Sequence, residues 1–181
     1  MNQNGPNQHL PEDNTRRIGF SMMIGFMVLG LALMTYFFGE WEQSQSNPNT
    51  AVNSIIKNGH IEVTLYRNRA GHYIAPGTIN GKPVSFLLDT GATYTSIPGN
   101  IANLIGLKRG PEISANTANG IAVGYLTQID TLTLGGIQFK KIRGDIAPGY
   151  KSSKILLGMN VLKQLEMIQK GNKLILRQKQ N

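Results

Sequence analysis

The chain has 181 residues, a net charge of +8, 21 glycines, 40% hydrophobic residues and no cysteine. That is room for one domain with extensions, enough apolar content for a core, and a glycine count that suits a turn-rich β protein. Disulfides and thiolate metal sites are excluded, and His9, His60 and His72 are scattered without metal-ligand spacing, so neither a metal nor a cofactor is expected.

No Gly-x-Ser-x-Gly elbow, phosphate loop or dinucleotide fingerprint is present. The charge is uneven: residues 57–181 hold 16 Lys and Arg against 6 Asp and Glu. No nucleic-acid module pattern accompanies them, so they read as a solvated basic surface, and no nucleic-acid partner is expected.

In chain order, residues 1–17 are polar and read as a disordered tail. Ile18 to Phe38 carries no charge, and its length of roughly 31 Å at the helical rise matches a bilayer core. Tyr36 and Trp41 sit near one end, where amphipathic rings favour the interface. A cleaved signal peptide is the rival reading, but the stretch is long for a signal core and no small-x-small site follows Phe38 directly. Residues 18–38 are therefore assigned as one transmembrane helix. Arg16 and Arg17 precede it and no Lys or Arg follows until Lys57, which puts residues 1–17 in the cytoplasm and the rest outside. Residues 39–58, rich in Ser, Asn and Gln, read as a flexible linker, and the folded domain is expected over 59–181.

From there the pattern is β. Ile61, Val63 and Leu65 alternate with polar residues, and His72 to Ile79 makes a second strand. Asn80-Gly81 predicts a two-residue hairpin turn into Lys82 to Leu88. Tyr94 to Ile97 is a short strand, and Asn100 to Leu107 a single short helix ended by Gly106. Glu112 to Ala118 and Ile121 to Leu134 form a long hairpin around Asn119-Gly120, and Gly135-Gly136 turns into Ile137 to Arg143. Asp145 to Ser153 reads as a polar loop, Ile155 to Leu157 as a buried strand, and Met159 to Leu165 as a helix. A hairpin over Gly171-Asn172 closes the chain. Short strands at this spacing predict an all-β fold, a closed or partly closed barrel with one or two short helices.

The chemistry centres on Phe86-Leu87-Leu88-Asp89-Thr90-Gly91-Ala92-Thr93. An apolar strand delivers a carboxylate straight into a turn. That is costly unless the acid is hydrogen-bonded or shares a proton. With Ile155-Leu156-Leu157-Gly158 and the helix after it, the pair of motifs over roughly residues 71–177 resembles the retropepsin-like aspartic peptidases. The Thr117-Ala118-Asn119-Gly120 stretch is similar to that of their membrane-anchored bacterial branch. The resemblance implies that Asp89 is the catalytic acid, that Thr90, Gly91 and Ala92 support it, and that Ala118, Asn119 and Gly120 form a substrate-covering flap. It also implies a cytoplasmic (inner) membrane protein with its protease domain in the periplasm.

Hydrolysis of an amide by two carboxyl groups needs a pair, and this chain has one Asp-Thr-Gly. The expected function is therefore a membrane-tethered aspartic endopeptidase acting on protein or peptide substrates as a homodimer. The alternative is a non-catalytic peptide-binding or dimerisation module on the same fold. Retroviral members carry acidic residues after the Asp-Thr-Gly-Ala and an Arg after the downstream Gly. Thr93, Tyr94 and Met159 stand there instead, so that ion pair is missing as a unit.

Overall fold

The computed structural model describes residues 13–117 and 120–180. The assigned tail, up to residue 12, and the proposed flap residues Ala118 and Asn119 lie outside the described residues. The chain divides into a unit ending at Gln43 and one beginning at Ser44. In the first, helix α1 (Asp13–Ser46) carries an apolar stretch from Arg17 to Phe38 with a mean hydropathy of 2.0. The side chains from Ile18 to Phe38 are all exposed.

The second unit is mostly β. Its elements are β1 (Ser54–Lys57), β2 (His60–Tyr66), β3 (Ile74–Ile79), β4 (Lys82–Leu88), β5 (Thr95–Pro98), α2 (Gly99–Ile105), β6 (Glu112–Thr117), β7 (Gly120–Leu134), β8 (Ile137–Ala147), β9 (Ile155–Leu157), α3 (Met159–Leu162), β10 (Glu166–Lys170) and β11 (Lys173–Lys179). One sheet runs β3-β4-β9-β5-β8-β7-β6, and a further pairing of β3 with β7 partly closes it into a ring. The closure is short, Thr78↔Thr133 and Ile79↔Leu132, and the two threonine hydroxyls hydrogen-bond at 2.7 Å. Gly77 lets the ring close here, because a Cβ would strike the Thr133 carbonyl oxygen and the Phe86 ring. The other sheet has the order β1-β2-β11-β10 and joins the two ends of the unit.

Alternation decides what lies inside. Val63 and Leu65 of β2, Phe86 of β4, Ile97 of β5, Ile129 and Leu132 of β7, Ile146 of β8 and Ile155 and Leu157 of β9 are all fully buried in one cluster. Each such side chain contributes roughly 1.5–3 kcal/mol of burial. The buried carboxylate of Glu62 is paired with Arg177 of β11 at 2.7 Å, which offsets the cost of taking it out of water.

Three expectations change. Residues 39–58, read as a flexible linker, are largely structured: α1 continues to Ser46 and Ser54–Lys57 is a strand on β2. Between them Asn49 is buried and ties β2 to β3, donating to the Tyr66 and Ile74 carbonyls at 2.8 and 2.7 Å and accepting from the Tyr66 amide at 2.7 Å. A polar side chain that meets three backbone partners is worth burying despite its composition. Second, β8 runs four residues past Arg143, because parallel pairing with β5 (Thr95↔Gly144 to Pro98↔Ala147) recruits the first three residues of the expected polar loop. Third, the helix after β9 is shorter than its apolar spacing predicts. It ends at Leu162, and the Gln164 and Leu165 amides bond three residues back, to Val161 and Leu162.

Candidate active site

Asp89 is the first residue after β4, and its place is fixed by β9. The two strands run parallel with Phe86↔Ile155, Leu87↔Leu156 and Leu88↔Leu157 in register. The Asp89 amide continues that ladder by donating to the Leu157 carbonyl at 3.1 Å, while the Leu88 amide donates to Tyr73 of the chain entering β3 at 3.0 Å. The backbone before the carboxylate is thus held from both sides.

The turn behind it is equally tied. The Gly91 amide donates to Asp89 Oδ1 at 2.8 Å, and the Ala92 amide to the Asp89 carbonyl at 3.3 Å. Ala92 and Thr93 then accept from the Met159 and Asn160 amides, at 2.8 and 3.1 Å, at the start of α3. The loop packs so closely on Gly158 that a Cβ there would collide with the Tyr94 and Ala92 carbonyl oxygens. This explains why an apolar-apolar-Gly strand accompanies the Asp-Thr-Gly loop: any larger residue at 158 pushes the loop off its support.

The structure brings Asp89, Thr90, Gly91 and Ala92 together in one turn. Asp89 and Ala92 are half-buried and Thr90 and Gly91 exposed. The carboxylate sits at a surface with one oxygen oriented by a backbone amide. Such a group accepts a proton or a water when a second acid is brought opposite it.

The hairpin of β6 and β7 pairs from Glu112↔Tyr125 to Thr117↔Gly120. Of the three proposed flap residues only Gly120 is described. It is exposed, with φ of 103°, a conformation open to glycine. Ile121 and Val123 beside it are 78% and 50% exposed, so the hairpin offers apolar side chains to something outside the described chain.

Two polar groups near the loop carry no role in the sequence reading. Asn160 accepts from the buried Thr95 hydroxyl at 3.1 Å and donates to the Arg143 carbonyl at 2.6 Å, so it joins α3, β5 and β8 behind the loop. Asp145 accepts a hydrogen bond from Ser96 at 2.8 Å. Burial pushes its carboxyl above the usual range, against the lowering effect of the Ser96 hydroxyl. The signal for both is the alternation of β5, which faces Thr95 inward and Ser96 outward. Among the described residues no group of three or more His, Asp and Glu is placed to hold a metal ion.

Comparison with known proteins agrees with this geometry. Residues 75–164 match the family model described as "gag-polyprotein putative aspartyl protease". A Sinorhizobium sp. protein described as "Uncharacterized protein in cobV 5'region" is 33% identical over 114 residues, which is 61% of this chain and 49% of that protein. The chain thus spans about half the length of the curated relative it matches. The crystal structure of a retropepsin-like aspartic protease from Rickettsia conorii has the same fold, with a TM-score of 0.54 and 24% identity over 71% of this chain and 95% of that one. The matched residues contain both the Asp89 turn and the β9 strand that holds it, and in this match and in its fold the chain is similar to the retropepsin-like aspartic proteases.

Proposed function

We propose that the chain is a membrane-tethered aspartic endopeptidase whose active site forms when two copies bring their Asp89 side chains together. The observation that carries this reading is the Asp89 turn itself, with the carboxylate oriented by the Gly91 amide and the backbone braced by Leu157 and Met159. A single such turn is present, so the second carboxyl comes from a second chain, across a two-fold axis. Two carboxyl groups about 3 Å apart share one proton. The ionised one takes a proton from the attacking water while the protonated one donates its proton to the substrate carbonyl, and the proton taken from water then passes to the leaving nitrogen. The titration belongs to the pair. The β6–β7 hairpin covers the extended substrate and excludes water, with Ala118, Asn119 and Gly120 at its tip.

The test is cleavage of unfolded casein by the full-length chain in detergent across a mildly acidic range of about pH 4 to 6. Cleavage that a peptidomimetic aspartic-protease inhibitor blocks is expected. Intact casein at every pH, with a correctly folded chain, overturns the reading in favour of a binding module.

The apolar stretch of α1 supports a membrane anchor. Its serine and threonine hydroxyls are satisfied within the helix: Ser21 donates to the Arg17 carbonyl, and Thr35 to those of Leu31 and Ala32. That is what a polar group needs where no water is available. With Arg16 and Arg17 on the cytoplasmic side, the protease domain lies in the periplasm of a two-membrane cell. A reporter active only outside the cytoplasm, fused after residue 60, is expected to be active. Activity of a strictly cytoplasmic reporter at that point reverses the orientation.

A further inference from the structure

The sheet that carries Asp89 has an outward face, and its residues are in register. Leu87 pairs with Leu156, Leu156 with Ser96, Ser96 with Asp145, and Asp145 with Leu126, so one row crosses β4, β9, β5, β8 and β7. Their strand neighbours Phe86, Ile155, Leu157, Thr95, Ile97, Gly144 and Ile146 are buried on the opposite face. Asp89 is two residues beyond Leu87 and by the same alternation shares the outward face. At the usual strand spacing Asp145 lies about 14 Å across the sheet from Leu87, which about four residues of extended peptide span.

Asp145 is an unusual occupant of that row. The other members are Leu or Ser, and the folded unit is strongly basic. Its carboxylate is half-buried and has one hydrogen-bond donor, Ser96, on Oδ2. No basic residue pairs with it: the ion pairs among the described residues join Arg177 to Glu62 and Glu166. Arg143, two residues back on β8, is exposed, and Arg109 stacks on Tyr125 instead. Diagonal to Asp145, two residues along β7 from its partner Leu126, stands Gly124 at the root of the β6–β7 hairpin, where a Cβ would lie 3.7 Å from Oδ2. Having no side chain, Gly124 lays nothing over the carboxylate from β7. A half-buried acid with one donor and no cation costs more than an apolar side chain would, unless a cation arrives from outside.

We propose that Ser96 and Asp145 form a specificity subsite that takes the Lys or Arg side chain of an extended peptide, within about four residues of the bond aligned on Asp89. This rests on Asp89 marking the peptide-binding face. Ser96 holds Oδ2, which leaves Oδ1 to accept the incoming ammonium or guanidinium, and Leu156 and Leu126, on either side of the pair in the row, flank its aliphatic stem.

The test uses the full-length chain in detergent and a set of peptides in which Lys, Gln or Leu is scanned through the positions around one cleavable bond. Binding is read by fluorescence anisotropy on the Asp89→Asn chain, so that Asp145 is the acid being probed, and kcat/KM is read on the wild-type Asp89 chain. At one position Lys is expected to exceed Gln by about tenfold in both readouts, the size of a partly desolvated ion pair. Adding Asp145→Asn, whose amide oxygen still accepts from Ser96, should bring that ratio close to one. Equal binding of Lys and Gln peptides at every position overturns the subsite without any variant at 145, and so does a Lys preference that survives Asp145→Asn. A binding preference that depends on Asp145 in a chain that cleaves nothing supports the subsite and removes the endopeptidase reading. Cleavage with no Lys preference does the reverse.

Discussion

Asp89→Asn is expected to leave the domain folded and to lower peptide hydrolysis by at least about three orders of magnitude. The fold should survive because the one side-chain hydrogen bond of Asp89, from the Gly91 amide to Oδ1, is equally available to the amide oxygen of Asn. The backbone bonds that build the turn, from Asp89 to Leu157 and from Met159 to Ala92, do not involve the side chain. Melting temperature should stay within a few degrees of wild type, as for a surface substitution. Activity should not survive, because an amide neither takes a proton from water nor shares one with a second acid. Paired measurement of melting temperature and initial rate separates the two effects. Residual activity within about tenfold of wild type removes Asp89 from the role of catalytic acid, since loss of a group that transfers the proton costs far more.

The core of this site was legible because its chemistry is local. An apolar run, an acid and a glycine specify a strand, a carboxylate and a turn within a few residues, and β4 with its turn follows that reading. The second strand was equally legible: Ile155 to Leu157 is apolar throughout, and β9 lies in parallel register beside β4. What the sequence hid depends on distant partners. The extension of β8 to Ala147 is unintelligible without β5 alongside it, and Asn49 looks like linker until the Tyr66 and Ile74 backbones are brought to it. One signal was present and unused. Asn58-Gly59 is the same hairpin dipeptide as Asn80-Gly81, and the two turns have nearly the same backbone, with φ of 50° and 73° against 49° and 76°. Applied to Ser54 to Lys57, that rule places β1 against β2 and ends the linker earlier. The Ser96–Asp145 pair was out of reach for another reason. Nothing in the spacing of a serine and an aspartate 49 positions apart announces that parallel strands will put them in contact at 2.8 Å.

Activity per chain is expected to rise with protein concentration, because each chain brings one carboxylate to a site that needs two. The folded unit begins at Ser44, so the soluble fragment for this measurement is 44–181; a start at 57 would remove Asn49 and most of β1. The ion pair that retroviral members place after their catalytic loop has no counterpart at Thr93, Tyr94 and Met159. Weak association of the free fragment follows. Anchoring through residues 18–38 confines the copies to one plane and raises their effective concentration without any new contact. Specific activity of 44–181 should therefore climb across a hundredfold concentration range and level off as sedimentation shows the dimer filling. The full-length chain in a bilayer should be active at total concentrations where the fragment is not. Asp89→Asn chains sharpen the measurement, since they fold and associate but bring no acid. In threefold excess at saturating concentration, random pairing leaves about a quarter of the wild-type chains with a wild-type partner, and activity should fall to about that fraction. An additive mixture, with wild-type activity undiminished by the inert chains, together with a fully active species that sediments as a monomer throughout, is incompatible with a dyad shared between two copies of Asp89.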